Sequence, residues 1–277
     1  MTVISAEHQR KAEHFLALHS GPLLVLPTAW DVLSAKVFEE QGCHAVATTS
    51  AGVSWSLGFA DGERIPWPAM LGAIERIARA VRVPINADIE TGFSNTLPEL
   101  AGRIDDLMAV GTCGVNLEDG LDHGARLRTI DDMCSRIATV RQAASRAGCS
   151  LVITARADVH LRAGNDPARL DDTIARCRAY AEAGANCVFP IGLSDLGMIS
   201  KLVAEAGVPV NVHGRRGCPS LAHLEAAGVA RVSTAVTAAV FVAGALEDAM
   251  KTLARTRSFD HFTSTFDYAR MQGLFPR

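Results

Sequence analysis

Short, almost continuously apolar runs alternate along this chain with longer stretches whose apolar residues recur every three or four positions. The short runs cover residues 23–30, 44–50, 83–90, 114–119, 151–158, 186–192, 208–214 and 230–236. They are rich in β-branched residues, as strands buried on both faces should be. The longer stretches, such as "WPAMLGAIERIARAV" and "TLPELAGRIDDLMAVG", read as amphipathic helices. Several end on a glycine, among them Gly111, Gly148, Gly184, Gly207 and Gly228, a frequent helix stop. The next strand follows within a few residues, the tight spacing used by βαβ units.

About eight such units predict an α/β fold, a (β/α)₈ barrel. An open doubly wound sheet is the alternative, but no G-x-G-x-x-G follows the first strand. No Pro/Ser-rich linker breaks the chain, so residues 1–277 are expected to form one barrel domain. Residues 244–277 are then a C-terminal helical extension. The end of that extension, "SFDHFTSTFDYARMQGLFPR", holds 4 of the 10 Phe and 1 of the 2 Tyr, which suggests docking on the barrel or on a neighbouring subunit.

Composition narrows the class. The chain is 48% hydrophobic and 21% charged, with a formal net charge of −3, enough apolar material for a large core. There is no basic excess, and aromatics are only 5%, so nucleic acid is not an expected partner. The 7 cysteines are scattered without a C-x-x-C pair, which argues against a zinc site or a disulfide framework and for reduced thiols. No signal-type apolar core and no membrane-length run is present, so a soluble, cytoplasmic protein is expected.

Barrel active sites sit at the C-terminal ends of the strands. Read in order, those ends present Asp31, then Thr49-Ser50-Ala51, Asp88 and Glu90, Glu118 and Asp119, Arg156 and Asp158, Asn211 and His213, and Ser233. Crowded carboxylates repel unless a cation intervenes, and a hard divalent ion such as Mg²⁺, with Mn²⁺ as a substitute, suits oxygen ligands. Asp88 and Glu90, two apart, would point to one side of a strand. Asp31 and Asp119 fit helix caps as well as metal ligands. Arg156 fits a carboxylate clamp or an ion pair with Asp158 or Glu118. His213 with the following "GRRG" fits an anion contact or a solvated loop. The four lysines, Lys11, Lys36, Lys201 and Lys251, all fall on helical patterns, which disfavours Schiff-base chemistry.

With these residues identified, the sequence resembles the isocitrate lyase/phosphoenolpyruvate mutase superfamily over about residues 15–244. The segments "WDVLSAKVFEEQGCHAVATTSAGVSWSLGFADGE", "ADIETGF", "VNLEDG", "TARAD" and "GVARVS" carry the resemblance, in that order. It implies a (β/α)₈ barrel, Mg²⁺ dependence and a small carboxylate substrate of α-oxo acid type. It also implies a homotetramer, a dimer of dimers, with a C-terminal helix exchanged between neighbours. By position, Asp88 would contact the metal, and Asp61, Glu90 and Glu118 would hold its waters. Thr49, Ser50 and Ala51 would grip the substrate, Arg156 would bind its carboxylate, and Asn211 would line the far side.

Two departures matter. Many members read D-A-D where this chain has Asp88-Ile89-Glu90. The lyases' K-[KR]-C-G-H loop, whose Cys is the catalytic acid, is replaced by "GLDHGARLRTIDD", and the phosphonomutases' loop is missing too. Decarboxylation or C–C cleavage of an oxaloacetate-like acid through an enolate is therefore the leading expectation, with Arg156, Asp61 and His123 as catalytic candidates. His123 would protonate the enolate. Phosphonomutase or phosphonopyruvate-type P–C chemistry is the second reading. A catalytically silent oxo-acid-binding protein is the third.

Overall fold

Every predicted apolar run carries a strand, and each strand is shorter than its run because the run's end bends toward the barrel mouth or into a helix. The computed structural model describes residues 4–122 and 124–275. Its strands, in chain order, are β1 (Leu24–Leu26), β2 (Thr28–Ala29), β3 (Val46–Thr48), β4 (Ile85–Asp88), β5 (Gly114–Glu118), β6 (Gly120–Leu121), β7 (Arg126–Leu127), β8 (Val152–Ala157), β9 (Cys187–Pro190), β10 (Asn211–His213) and β11 (Arg231–Ser233).

One parallel sheet runs β2-β3-β4-β5-β8-β9, and a second runs β1-β11-β10. Both seams between them close. Pro27, which has no N–H to offer, separates β1 from β2 within a single extended run. On the other side, Val188 of β9 bridges Val210, and Val188 N donates to the Pro209 carbonyl at 3.0 Å. The result is a ring of eight parallel strand positions in chain order, the (β/α)₈ barrel. The antiparallel pair β6–β7 is an insertion between β5 and its following helix.

Neutral polar pairs occupy part of the barrel interior. Asn86 Nδ2 donates to Asn116 Oδ1 at 3.0 Å, and Asn211 Nδ2 donates to Ser233 Oγ at 2.8 Å. The N-terminal helix Ala6–Ala17 covers the opposite end of the ring from the strand termini. Its Gln9 reaches Ser150, and its His8 reaches the Thr112 carbonyl at 2.8 Å, just before β8 and β5 begin. Phe15 of this helix is fully buried.

The last long helix, Thr237–Thr256, differs from the rest. It has no buried residue, and Phe241 (74% exposed), Leu246 and Met250 lie open. Phe259, Phe262 and Tyr268 beyond it are exposed as well. At the end of the described chain, Arg270 pairs with Glu40 at 3.1 Å. Among the described residues no helix is long and apolar enough to cross a membrane.

Candidate active site

A cleft of about 1010 Å³ opens where the strands end. Thr49, Ser50 and Ala51 after β3, Asp61 in the following loop, Asp88, Glu90, Glu118 and Arg156 all line it. The parallel register produces this convergence. Asp88 stands beside Asn116 across β4–β5, and Glu118 stands beside Arg156 across β5–β8.

Asp88 ends β4 and is locked in place from two sides. Its backbone N–H donates to Thr48 Oγ1 at 2.9 Å. Ser50 donates to its Oδ2 twice, from the backbone N at 3.0 Å and from Oγ at 2.8 Å. Burial pushes the Asp88 carboxyl above its ordinary range, while Arg156 and the Ser50 bonds work against that shift.

Glu90 arrives by a route that strand alternation does not describe. The strand stops at Asp88, and Glu90 sits on a turn with φ +49°, closed by Gly92 N donating to the Ile89 carbonyl at 2.7 Å. A left-handed Glu is uncommon, and such strain gathers at functional sites. The turn is held by Glu63, whose Oε1 accepts from Thr91 Oγ1 at 2.8 Å and from Phe93 N at 2.9 Å. Glu63 is itself left-handed, at φ +57°. Glu90 is 5% exposed, and its Oε1 is buried without a hydrogen-bond partner among the described residues. Burial, then the charges of Asp61 and Asp88, raises its pKa to about 8.

Arg156 is the buried counter-charge. Its Nε and Nη2 donate to the two oxygens of Asp158, both at 2.7 Å, and its Nη1 lies 2.6 Å from Glu118 Oε2. Asp158 thus engages two of the five guanidinium N–H groups, and Nη1 faces Glu118 as an ion pair. Glu118 is pushed up by burial and by neighbouring carboxylates, with Arg156 opposing. Both partners expected for Arg156 are therefore present together.

Other sequence candidates fall elsewhere. Asn211 lies below the cleft rather than on its wall, fully buried against Ser233. The mouth position on that strand belongs to His213, two residues on, which lines the cleft and shares a 3.2 Å contact with Thr237 Oγ1. Burial and the nearby Arg215 lower His213 to about 4, so its imidazole is neutral. Asp31 is a helix cap, accepting from Ser34 N at 2.7 Å in a capping box. Asp119 is neither a cap nor part of the cleft wall; it is fully buried among Tyr180, Arg176 and the Asp158 backbone. His123 lies outside the described residues.

Sequence reasoning passed over Glu63, Arg64, Arg128 and His160, all of which line the cleft. Only Glu63 carried a signal, being two residues after Asp61 in "FADGE".

The donor set suits a hard divalent cation. Carboxylate oxygens from Asp61, Asp88, Glu90 and Glu118 face one space, and the buried Glu90 Oε1 awaits a partner. Among the described residues no three His, Cys, Asp or Glu side chains converge closely enough to chelate an ion unaided. An ion here would keep several waters, which is the habit of Mg²⁺.

The family model for phosphoenolpyruvate phosphomutase matches residues 15–254. The chain belongs to this family, within the isocitrate lyase/phosphoenolpyruvate mutase superfamily. It is 30% identical over 196 residues to a 2-methylisocitrate lyase of Bacillus subtilis strain 168, covering 68% of this chain and 62% of the relative. It is 29% identical over 172 residues to oxaloacetate decarboxylase 2 of Pseudomonas fluorescens Pf0-1, covering 59% and 55%. A crystal structure from Burkholderia cenocepacia J2315, provisionally described as a lyase/mutase, superposes with a TM-score of 0.91 at 33% identity over 99% of this chain and 98% of that one.

Two outcomes follow from the carboxylate cluster. Asp88→Ala should abolish Mg²⁺-dependent oxalate binding, read as tryptophan quenching, with the fold intact by circular dichroism. Wild-type affinity in the variant would remove Asp88 from the site.

The second concerns the metal-free protein. Glu90 holds its proton to about pH 8 when folded, against an ordinary 4.5. The folded state therefore binds the extra proton between these values, and stability falls as pH rises through 8. Thermal midpoints in EDTA should decline across this window, and Glu90→Gln should flatten the decline. An equal decline in wild type and variant would show that Glu90 is not its source.

Proposed function

We propose that this protein is a Mg²⁺-dependent enzyme that acts on a small α-oxo acid through an enolate, with decarboxylation or C–C cleavage of an oxaloacetate-like substrate as its reaction. The observation that carries this reading is the buried Arg156 guanidinium, pinned by Asp158, beside the cleft-lining carboxylates Asp88, Glu90 and Glu118, of which Glu90 keeps one buried oxygen without a hydrogen-bond partner among the described residues. An anionic oxo acid and a divalent cation complete that arrangement together.

Asp88 supplies the direct metal ligand in this reading, and Asp61, Glu90 and Glu118 hold its waters. Bound there, Mg²⁺ (or Mn²⁺) would supply Lewis-acid polarisation of the oxo group and stabilisation of developing oxyanion charge. Thr49, Ser50 and Ala51 orient the oxo acid from the β3 side. Arg156, pinned by Asp158 and Glu118, receives the carboxylate without having to reorganise, which is where preorganised electrostatics gain most. Breaking the bond to the departing carboxylate releases CO₂ and leaves its electron pair in the enolate. That departure needs no general acid. The enolate then takes a proton at carbon, a step for which His123 is the candidate.

Cleavage of the lyase type asks more of the missing loop. None of the seven cysteines lines the cleft among the described residues. Cys113 is fully buried ahead of β5, and Cys134 donates its thiol to the Ala179 carbonyl on an outer helix. P–C bond chemistry on the same enolate is the second reading, favoured by the family model that the chain matches.

A turnover screen with Mg²⁺ tests the proposal, using oxaloacetate, 2-methylisocitrate, isocitrate, dimethylmalate and phosphonopyruvate. Oxaloacetate should be consumed with pyruvate formed. Cleavage of 2-methylisocitrate should lag a lyase-like rate by about 10²–10⁴-fold, the usual value of a general acid. Efficient 2-methylisocitrate cleavage would overturn the assignment of the reaction. Oxalate binding without any turnover would favour a silent binding protein.

We also propose a homotetramer, a dimer of dimers, in which the helix Thr237–Thr256 packs on a neighbouring copy. Its exposed Phe241, Leu246 and Met250 support this, since an apolar stripe of that length is rarely left to solvent. Phe241→Glu should shift the sedimentation mass downward. An unchanged mass, or a monomeric wild type, would remove this helix from the interface.

A further inference from the structure

Asp119 and Asp158 are the buried carboxylates of the strand-end set that do not line the cleft, and Asp119 is the more heavily bonded of the two. Its Oδ2 accepts from Tyr180 Oη at 2.5 Å and from Arg176 Nη1 at 3.0 Å. Its Oδ1 accepts from the backbone N–H of Asp158 at 2.9 Å. Its own carbonyl accepts from Arg128 N at 2.8 Å. Arg176 Nη1 also donates to the Arg128 carbonyl at 2.9 Å. Arg176 and Tyr180 stand four residues apart on the helix Leu170–Glu182, so both project from one face. Neither lines the cleft.

Two features of the cleft meet at this point. Asp158 holds the Nε–Nη2 edge of the Arg156 guanidinium with both its oxygens, so the place of the Asp158 backbone sets where Arg156 points. Asp119 and Arg128 are the two stems of the β6–β7 hairpin, whose Gly120, Leu121 and Asp122 wall the cleft. The packing between the two is close. A Cβ at Gly120 would stand 2.2 Å from Asp158 Oδ2, so the hairpin backbone packs directly against the clamp.

We propose that Arg176 and Tyr180 are positioning residues: acting through Asp119, they fix the β6–β7 hairpin and, through Asp158, the aim of Arg156 at an anionic substrate. The role rests on the proposed function only in taking Arg156 as the substrate-carboxylate contact. The latch itself stands on the bonds above. Tyr180 is fully buried, so Tyr180→Phe removes the phenolic donor while keeping the ring. Arg176→Lys keeps a positive charge but loses the planar fork that serves Asp119, the Arg128 carbonyl and Asp172 at once.

The test pairs limited trypsin digestion with oxalate titration in Mg²⁺. Arg126 lies on the hairpin, and its cleavage reports hairpin opening whatever reaction the enzyme catalyses. In both variants cleavage after Arg126 should accelerate about tenfold, the effect of losing one hydrogen bond to a charged group. Oxalate should weaken by about the same factor. Cleavage at the exposed Arg255, on the C-terminal helix, should stay at the wild-type rate. Unchanged Arg126 cleavage and oxalate affinity in the variants would overturn the proposal. So would acceleration at Arg126 and Arg255 in step, which reports global loosening. Faster hairpin cleavage with unchanged oxalate affinity would break the link to Arg156. A wild type that binds no oxalate would sink the proposed function, while the digestion still decides the latch. If Tyr180→Phe does not fold, Arg176→Lys decides alone.

Discussion

Negative charge gathered in a buried space is the constraint around which this molecule is arranged. Asp61, Asp88, Glu90 and Glu118 share the barrel mouth, where the buried Arg156 guanidinium lies 2.6 Å from Glu118 Oε2. Two like charges about 4 Å apart at an effective dielectric near 20 repel by about 4 kcal/mol. A surface ion pair, worth about 0–1 kcal/mol, could not offset several such terms. The molecule has two ways out. It can hold a proton, as the raised Glu90 does, or it can hold a cation. The same repulsion that disfavours a fully ionised cluster would favour a bound cation.

The barrel makes this crowding possible because the carboxylates come from three βα junctions, Asp61 after β3, Asp88 and Glu90 at the end of β4, and Glu118 at the end of β5. Repulsion between neighbours on one flexible loop would simply open the loop. Here Asp88 is tied to Thr48 and Ser50, Glu90 is held on a turn clasped by Glu63, and Glu118 is fixed by the β5–β8 register. Beneath them, the Asn86–Asn116 and Asn211–Ser233 pairs are neutral. A layer of acidic side chains at that depth would have added to the repulsion above it. Neutral amides give directional bonds without a field.

The ring of strands was legible in the sequence because a buried parallel strand leaves an apolar, β-branched run, and every such run holds one. Strand ends were less legible, since the residues that leave the sheet keep strand-like composition. Asp88 and Glu90 illustrate this. Alternation along a strand placed them together, yet a left-handed turn is what brings Glu90 to the cleft. Asn211 differs in the opposite direction, because the strand continues to His213 and the amide is buried against Ser233. The cap at Asp31 was readable from D-x-x-S, a local signal. Tyr180, Arg176 and His160 were not readable, because their partners lie far off in sequence and nothing in their own neighbourhoods marks them. The hairpin escaped notice because each of its strands is two residues long.

The division between strand ends and hairpin also bears on chemistry. Within the proposed reaction, holding the oxo acid and spreading its charge fall to residues fixed by barrel geometry, and these can serve lyase, decarboxylase or mutase alike. Delivering a proton, or shielding the enolate from one, falls to whatever stands over the cleft. That part of the chain, residues 120–128, is where this sequence departs from the lyase and phosphonomutase patterns. It is also tied down by an unusually dense set of buried bonds at Asp119. A short hairpin held at both stems gives up the reach of a long mobile loop. In return it sets a constant distance between the wall of the cleft and Arg156. Such a wall suits a small substrate whose leaving group departs unprotonated, and it suits poorly a large one that needs a loop to close over it. Geometry at the hairpin, rather than at the carboxylates, is thus what separates the candidate reactions.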